Sequence, residues 1–172
     1  QTVPGYDMIS DIDRAGDGDG RDSDPSDAGD FFGDKLSSWH GTHLAGIINA
    51  RGNNSRGVIG IAPNVKVQHV RVLGRDGGSD SDIVAAITWA YGGLVWSLPL
   101  NPTPARVINL SLGGESACSL AYQTAINDAI FRGTVVVAAA GNAGADASTT
   151  APANCNGVIT VGASKSDGGQ PD

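Results

Sequence analysis

Positive charge is scarce in this 172-residue chain: 11 Lys and Arg stand against 18 Asp and Glu, a formal charge of −7. That balance argues against partners rich in phosphate, nucleic acid or an anionic membrane, which recruit Lys and Arg. Aromatic residues make up only 5%. No apolar run approaches the roughly 20 residues needed to cross a bilayer. Internal repeats and low-complexity linkers are absent, and so is a Gly-x-Ser-x-Gly nucleophile elbow. The chain opens on Gln1 rather than Met and carries no signal peptide, which reads as a mature or processed protein. Cysteine is limited to two residues, Cys118 and Cys155. They are either buried thiols or one disulfide, and composition does not decide between these.

What is present is glycine, 25 residues, within a chain that is 40% hydrophobic. The length suits one domain with a sizeable core. Many glycines with few aromatics suit an α/β protein with tight turns and close helix–sheet contacts.

Residues 1–38 are turn-rich and acidic, and Asp11 to Asp34 shows no apolar periodicity, which reads as a loop, ion-bound or flexible. From His40 the pattern changes. His40, Leu44, Ile47 and Ile48 share one helical face, and Gly52-Asn53-Asn54 closes the segment. The spacing predicts helices near 41–51, 80–91 and 119–132, the second capped by Asp80 or Ser81. Alternation from Val65 to Leu73 predicts a strand, and apolar runs predict others near 106–111, 134–139 and 158–163. Apolar strands separated by helices imply a parallel sheet buried on both faces. Ligands bind beyond the carboxyl ends of such strands. Ser111 to Gly114 follows one strand and Gly141 to Gly144 follows the next, so both segments fall at one sheet edge.

The run Asp17-Gly18-Asp19-Gly20-Arg21-Asp22-Ser23-Asp24-Pro25-Ser26-Asp27 is dense in carboxylates that repel one another unless a cation compensates. Hard oxygen ligands at short spacing suit Ca²⁺, though the glycine and closing positions of an EF-hand hold Asp22 and Ala28. The alternative is a solvated acidic loop. Asn53-Asn54-Ser55 has the pattern of a glycosylation sequon, a triplet frequent by chance.

Three segments carry a resemblance. His40-Gly41-Thr42-His43-Leu44-Ala45-Gly46 resembles the histidine motif of the subtilisin-like serine proteases. Asn109-Leu110-Ser111-Leu112-Gly113-Gly114 resembles their substrate-lining strand, and Ala138-Ala139-Ala140-Gly141-Asn142-Ala143-Gly144 resembles their oxyanion segment. The order is that of the family, and the likeness extends over residues 1–172. It implies a three-layer subtilisin-like α/β fold with a mostly parallel central sheet flanked by helices, here incomplete. It implies secretion, and an extended peptide or protein as substrate.

Residue by residue, the resemblance makes His40 the general base, since an unassisted serine hydroxyl is a weak nucleophile. It makes Asn142 an oxyanion donor, worth roughly 3 kcal/mol of barrier. Ser111, Leu112 and Gly113 would pair with the substrate backbone by strand addition. Ala138, Ala139 and Gly141 would line a small-walled pocket that admits a large apolar side chain. His43 is expected to pack inside the fold. The acidic run resembles a calcium loop of secreted bacterial members, with Asp17, Asp19, Asp24, Asp27 and the Arg21 carbonyl as ligands. Secretion favours a Cys118–Cys155 disulfide.

The family's Asp-Ser/Thr-Gly strand and Gly-Thr-Ser-Met-Ala motif are not found; Asp11 and Asp13 with Gly16 imitate the first but lack an apolar run before them. The chain is therefore expected to begin after the catalytic aspartate strand and stop before the catalytic serine helix. Three readings follow: an internal piece of a secreted endopeptidase, inactive alone; one chain of a nicked enzyme whose complementary chains carry the aspartate and serine; and a non-catalytic calcium- or peptide-binding module.

Overall fold

The computed structural model describes residues 1–30 and 36–169. The chain divides into two compact units, Gln1–Ala86 and Ile87–Asp172.

In the first unit, β1 (Thr2–Asp7) pairs in parallel with β2 (Val67–Arg71). The sequence conceals β1 because Pro4-Gly5 interrupts its alternation. The ladder slips between Val3 and Tyr6, where these two residues sit, as expected for residues that break regular pairing. Glycine is required at position 5: a Cβ there would lie 1.9 Å from the His69 carbonyl oxygen. A short helix α1 (Ile12–Ala15) follows, capped by the Asp11 carboxylate accepting from Arg14 N–H and closed by Gly16 at φ 74°. The stretch read as turn-rich, residues 1–38, thus holds β1, and the loop expected over residues 11–34 opens with α1; residues 31–35 of that loop lie outside the described residues.

Helix α2 (His40–Asn49) lies where the periodicity places it. Its last carbonyls, which a helix leaves without partners, accept from the segment after it: Gly60 N–H bonds Ala50 O, Ile61 N–H bonds Ile47 O and Ala62 N–H bonds Ile48 O. A Cβ on Gly60 would come 2.5 Å from Ala50 N, so the close approach depends on glycine. Helix α3 (Asp80–Ala90) begins in this unit, with Asp80 and Asp82 in its first turn, where the helix dipole favours acids.

The second unit is built on three parallel strands in the order β3 (Val107–Leu110), β5 (Val135–Ala139), β7 (Ile159–Val161). Helix α4 (Leu120–Phe131) packs against β5. Ser119 caps it by accepting from Tyr122 N–H, and Gly133, at φ 82°, lets the chain turn back into β5. Tyr122, Ala125, Ile126 and Ala129 of α4 and Ile108, Leu110, Val136 and Ala138 of the sheet form the core. A small antiparallel pair, β4 (Gly114–Glu115) with β6 (Thr150–Ala151), has no counterpart in the sequence reading. Cys118 and Cys155 are joined in a disulfide.

Candidate active-site segments

His40 is the first residue of α2 and is exposed. The turn delivering it is fixed by Trp39, whose φ of 51° is left-handed, and by His43 N–H bonding Trp39 O at 2.9 Å. His43 is itself exposed. The expectation that it packs inside is corrected, because α2 turns that side outward. Asp30 lies close enough to His40 for the imidazole's charge to help hold its carboxyl below the usual range. The larger causes are hydrogen bonds from the Ser38 hydroxyl and N–H, at 2.6 Å each.

The acidic run reaches the histidine helix through one bond: Thr42 Oγ1 donates to Asp27 Oδ2 at 2.7 Å. Its other members also have partners within the chain. Asp24 Oδ1 accepts from the Ser26 hydroxyl at 2.5 Å and from Ser26 N–H at 3.0 Å, which lowers its pKa. Asp17 accepts from Arg71 at 2.5 Å. Arg71 also bonds the buried Asp7 and the Ala15 carbonyl, tying β1, α1 and the loop to β2. Arg21 turns its guanidinium to the Met8 carbonyl at 2.9 Å and to Asp82 at 2.5 Å. Asp19 differs: the charges of Asp22, and then of Asp17 and Asp24, push its carboxyl up. Among the described residues no three acidic, His or Cys groups converge as a metal centre.

The substrate and oxyanion segments belong to the second unit. Leu110 pairs with Ala138, so Ser111–Gly113 and Ala140–Gly144 leave neighbouring parallel strands at the same carboxyl end. Asn109 Nδ2 donates to Ser111 Oγ at 2.9 Å. Ala138 is buried, while Ala139 pairs with Val161. Gly141, at φ 103°, turns the chain so that Asn142 is exposed.

One residue the sequence reading missed binds these segments together. Thr150, only 9% exposed, stands against both glycines. A Cβ on Gly113 would lie 3.0 Å from its Cγ2, and one on Gly141 would lie 2.9 Å from its Oγ1. Thr150 is held there by the β4–β6 pair, by Ser116 N–H bonding Thr149 O at 3.0 Å, and by Asn154 Nδ2 bonding Ser116 O at 2.8 Å. Gln123 adds two bonds to the backbone of Asn156, and the disulfide closes the same frame. The only sequence signal for it was the cysteine pair, which brings residue 118 beside residue 155.

Residues 8–171 match the subtilase family, peptidase family S8. An extracellular protease of Xanthomonas campestris pv. campestris is 51% identical over 96% of this chain, and an extracellular basic protease of Dichelobacter nodosus is 45% identical over 96%. The chain spans 30% of the length of each. Among solved structures, a protease from Pseudoalteromonas arctica superposes with a TM-score of 0.91 at 52% identity, covering 94% of this chain and 50% of that one. A cold-adapted subtilisin-like serine proteinase superposes with a TM-score of 0.67 at 32% identity. The chain belongs to the subtilase family and has a subtilisin-like α/β fold.

Proposed function

We propose that this chain is part of the catalytic domain of a secreted serine endopeptidase, in which His40 is the general base and Asn142 an oxyanion donor. The supporting observation is the pairing of β3 with β5, which brings Ser111–Gly113 and Gly141-Asn142 to one sheet edge in a chain of this family. There Ser111, Leu112 and Gly113 take the substrate backbone as an added strand. Ala138, Ala139 and Gly141 form a wall of the side-chain pocket, with Thr150 behind it. The His40 imidazole accepts the nucleophile's proton and returns it to the leaving amine, while the Asn142 amide donates to the oxyanion. The serine and the aspartate that orients His40 come from sequence other than these residues, in cis or as complementary chains.

Ca²⁺ belongs to the same proposal, at the Asp17, Asp19, Arg21, Asp24 and Asp27 loop. Its support is Asp19, crowded by like charges that a divalent cation would relieve. Asp24 accepts from Ser26 through Oδ1 and Asp27 accepts from Thr42 through Oδ2, bonds a carboxylate can keep while its remaining lone pairs ligate an ion.

A chimera tests the reading. The matched segment of the Pseudoalteromonas protease is replaced by this chain, and hydrolysis of a chromogenic peptide is followed. Activity that His40→Ala removes is the expected result. A folded, secreted chimera without turnover counts against the proposal.

A further inference from the structure

We propose that Asn109 is a positioning residue of the substrate strand: its side-chain amide holds the Ser111 hydroxyl, and through it the start of the segment that receives the peptide backbone. The inference rests on the function proposed above and adds a residue to that site.

Asn109 breaks the pattern of its own strand. A parallel strand covered on both faces reads as an unbroken apolar run. In β3 the run is Val107, Ile108, Asn109, Leu110, and Asn is disfavoured in strands. The register neighbour of Asn109 on β5 is Val137, which pairs in turn with Ile159 of β7. Neither side chain offers the amide a hydrogen bond. A residue that breaks a local rule with no packing gain is expected at a functional position.

The amide finds its partner along the chain. Residues two apart on an extended strand share a face, and Asn109 Nδ2 donates to Ser111 Oγ at 2.9 Å. Ser111 is the first residue beyond β3 and is half-buried. Leu110, between the two, points into the core at 7% exposure. The turn out of the strand is thus anchored on one face by apolar packing and on the other by the amide. With Nδ2 donating, the serine oxygen accepts, and its own hydrogen is left for another acceptor. Ser111–Gly113 therefore leaves β3 from a fixed starting point, as strand addition requires.

The test uses the chimera in the Pseudoalteromonas framework, with a tetrapeptide anilide that spans the strand and a single-residue ester that does not. Asn109→Val suits a strand better than Asn, so a merely structural residue would lose nothing by it. The variant is expected to melt no lower than its parent. Its KM for the tetrapeptide should rise roughly threefold to tenfold, the worth of one neutral hydrogen bond, with a smaller change in kcat and none in ester hydrolysis. In a Ser111→Ala background the substitution should add nothing further. A variant equal to its parent on the tetrapeptide, equal losses on both substrates, or losses that add to those of Ser111→Ala overturn the inference. A second readout does not depend on turnover. With isotope-labelled asparagine, the Asn109 side-chain amide resonance, assigned by its loss in Asn109→Val, should move in Ser111→Ala; one that stays in place overturns the inference. A chimera that hydrolyses neither substrate counts against the proposed function. The inference is then decided by this resonance and by calorimetric affinity for the tetrapeptide, which Asn109→Val must lower.

Discussion

Thr150 occupies the space that a side chain on Gly141 would need: its Oγ1 lies 2.9 Å from the position of a Cβ there. The same threonine closes off Gly113, 3.0 Å from its Cβ position. The turn that presents Asn142 and the strand that would receive substrate are therefore fitted to one buried side chain. Gly141 also has a φ of 103°, which side chains rarely adopt. Gly141→Ala should cost about 1–3 kcal/mol of stability through strain and contact together. Thr150→Ala in the same molecule should recover part of that loss, because it removes the contact and leaves the φ strain. A double-mutant cycle from denaturant unfolding measures the coupling. Strictly additive losses would show that the two residues do not compete for space.

Reduction of Cys118–Cys155 should destabilise the second unit. The bridge spans 37 residues, and closing such a loop contributes about 3–4 kcal/mol in the chain-entropy model. Thermal unfolding with and without reductant checks this, with a Cys118→Ser/Cys155→Ser variant as comparison. An unchanged midpoint on full reduction would show that β4–β6 and Gln123 hold the frame unaided.

Asp82 should set part of the acid limb of stability. Burial pushes its carboxyl up, but hydrogen bonds from Arg21, from Ser10 and from Ser79 outweigh this and hold it below the usual range. A depressed folded pKa gives stability that is present above the unfolded value of about 3.8 and lost as pH falls through the folded value. Asp7 acts in the opposite sense. Burial raises its pKa against the bonds from Ile9 and Arg71, so its contribution is present at low pH and falls as pH rises through the folded value. Asp82→Asn should flatten the decline below about pH 4 and cost about 1–3 kcal/mol at neutral pH. Unfolding midpoints between pH 3 and 7 test it; an unaltered slope in Asp82→Asn would place the acid sensitivity elsewhere.

Ca²⁺ should raise the melting temperature and EDTA lower it, with the effect lost or reduced in Asp19→Asn. An unchanged melting temperature, with no metal by elemental analysis, would leave the loop held by bonds within the chain, among them those from Arg71, Thr42 and Ser26 and those of Arg21 to Met8 and Asp82.

Much of the architecture is legible in the sequence because it is periodic. The apolar spacing from His40 gives α2, and the runs at Val107 and Val135 give neighbouring parallel strands. What was hidden depends on distant partners. The β1 strand is obscured by Pro4 and Gly5, and Gly5 is there because the His69 carbonyl comes close. The partners of the acidic run, Arg71 and Thr42, lie 54 and 15 residues from Asp17 and Asp27. Thr150 gives no local signal, since its strand is two residues long. The three segments that resemble the family's motifs were legible because the chemistry proposed for them needs particular residues at particular spacings, whereas the frame behind them needs only fit.

Asn142→Leu in the chimeric enzyme should lower kcat by about 10²–10³ with a smaller effect on KM, because its hydrogen bond forms mainly in the transition state. Equal loss through KM alone would make Asn142 a turn residue.

The most direct test of the central claim is hydrolysis of a chromogenic peptide by three purified proteins: the 172-residue chain, the chimera in the Pseudoalteromonas framework, and the chimera carrying His40→Ala. The account predicts no turnover by the chain alone, clear turnover by the chimera, and loss of nearly all of it in His40→Ala, since the serine then lacks its base. Turnover by the chain alone that survives purification, or a His40→Ala chimera as active as its parent, would contradict it.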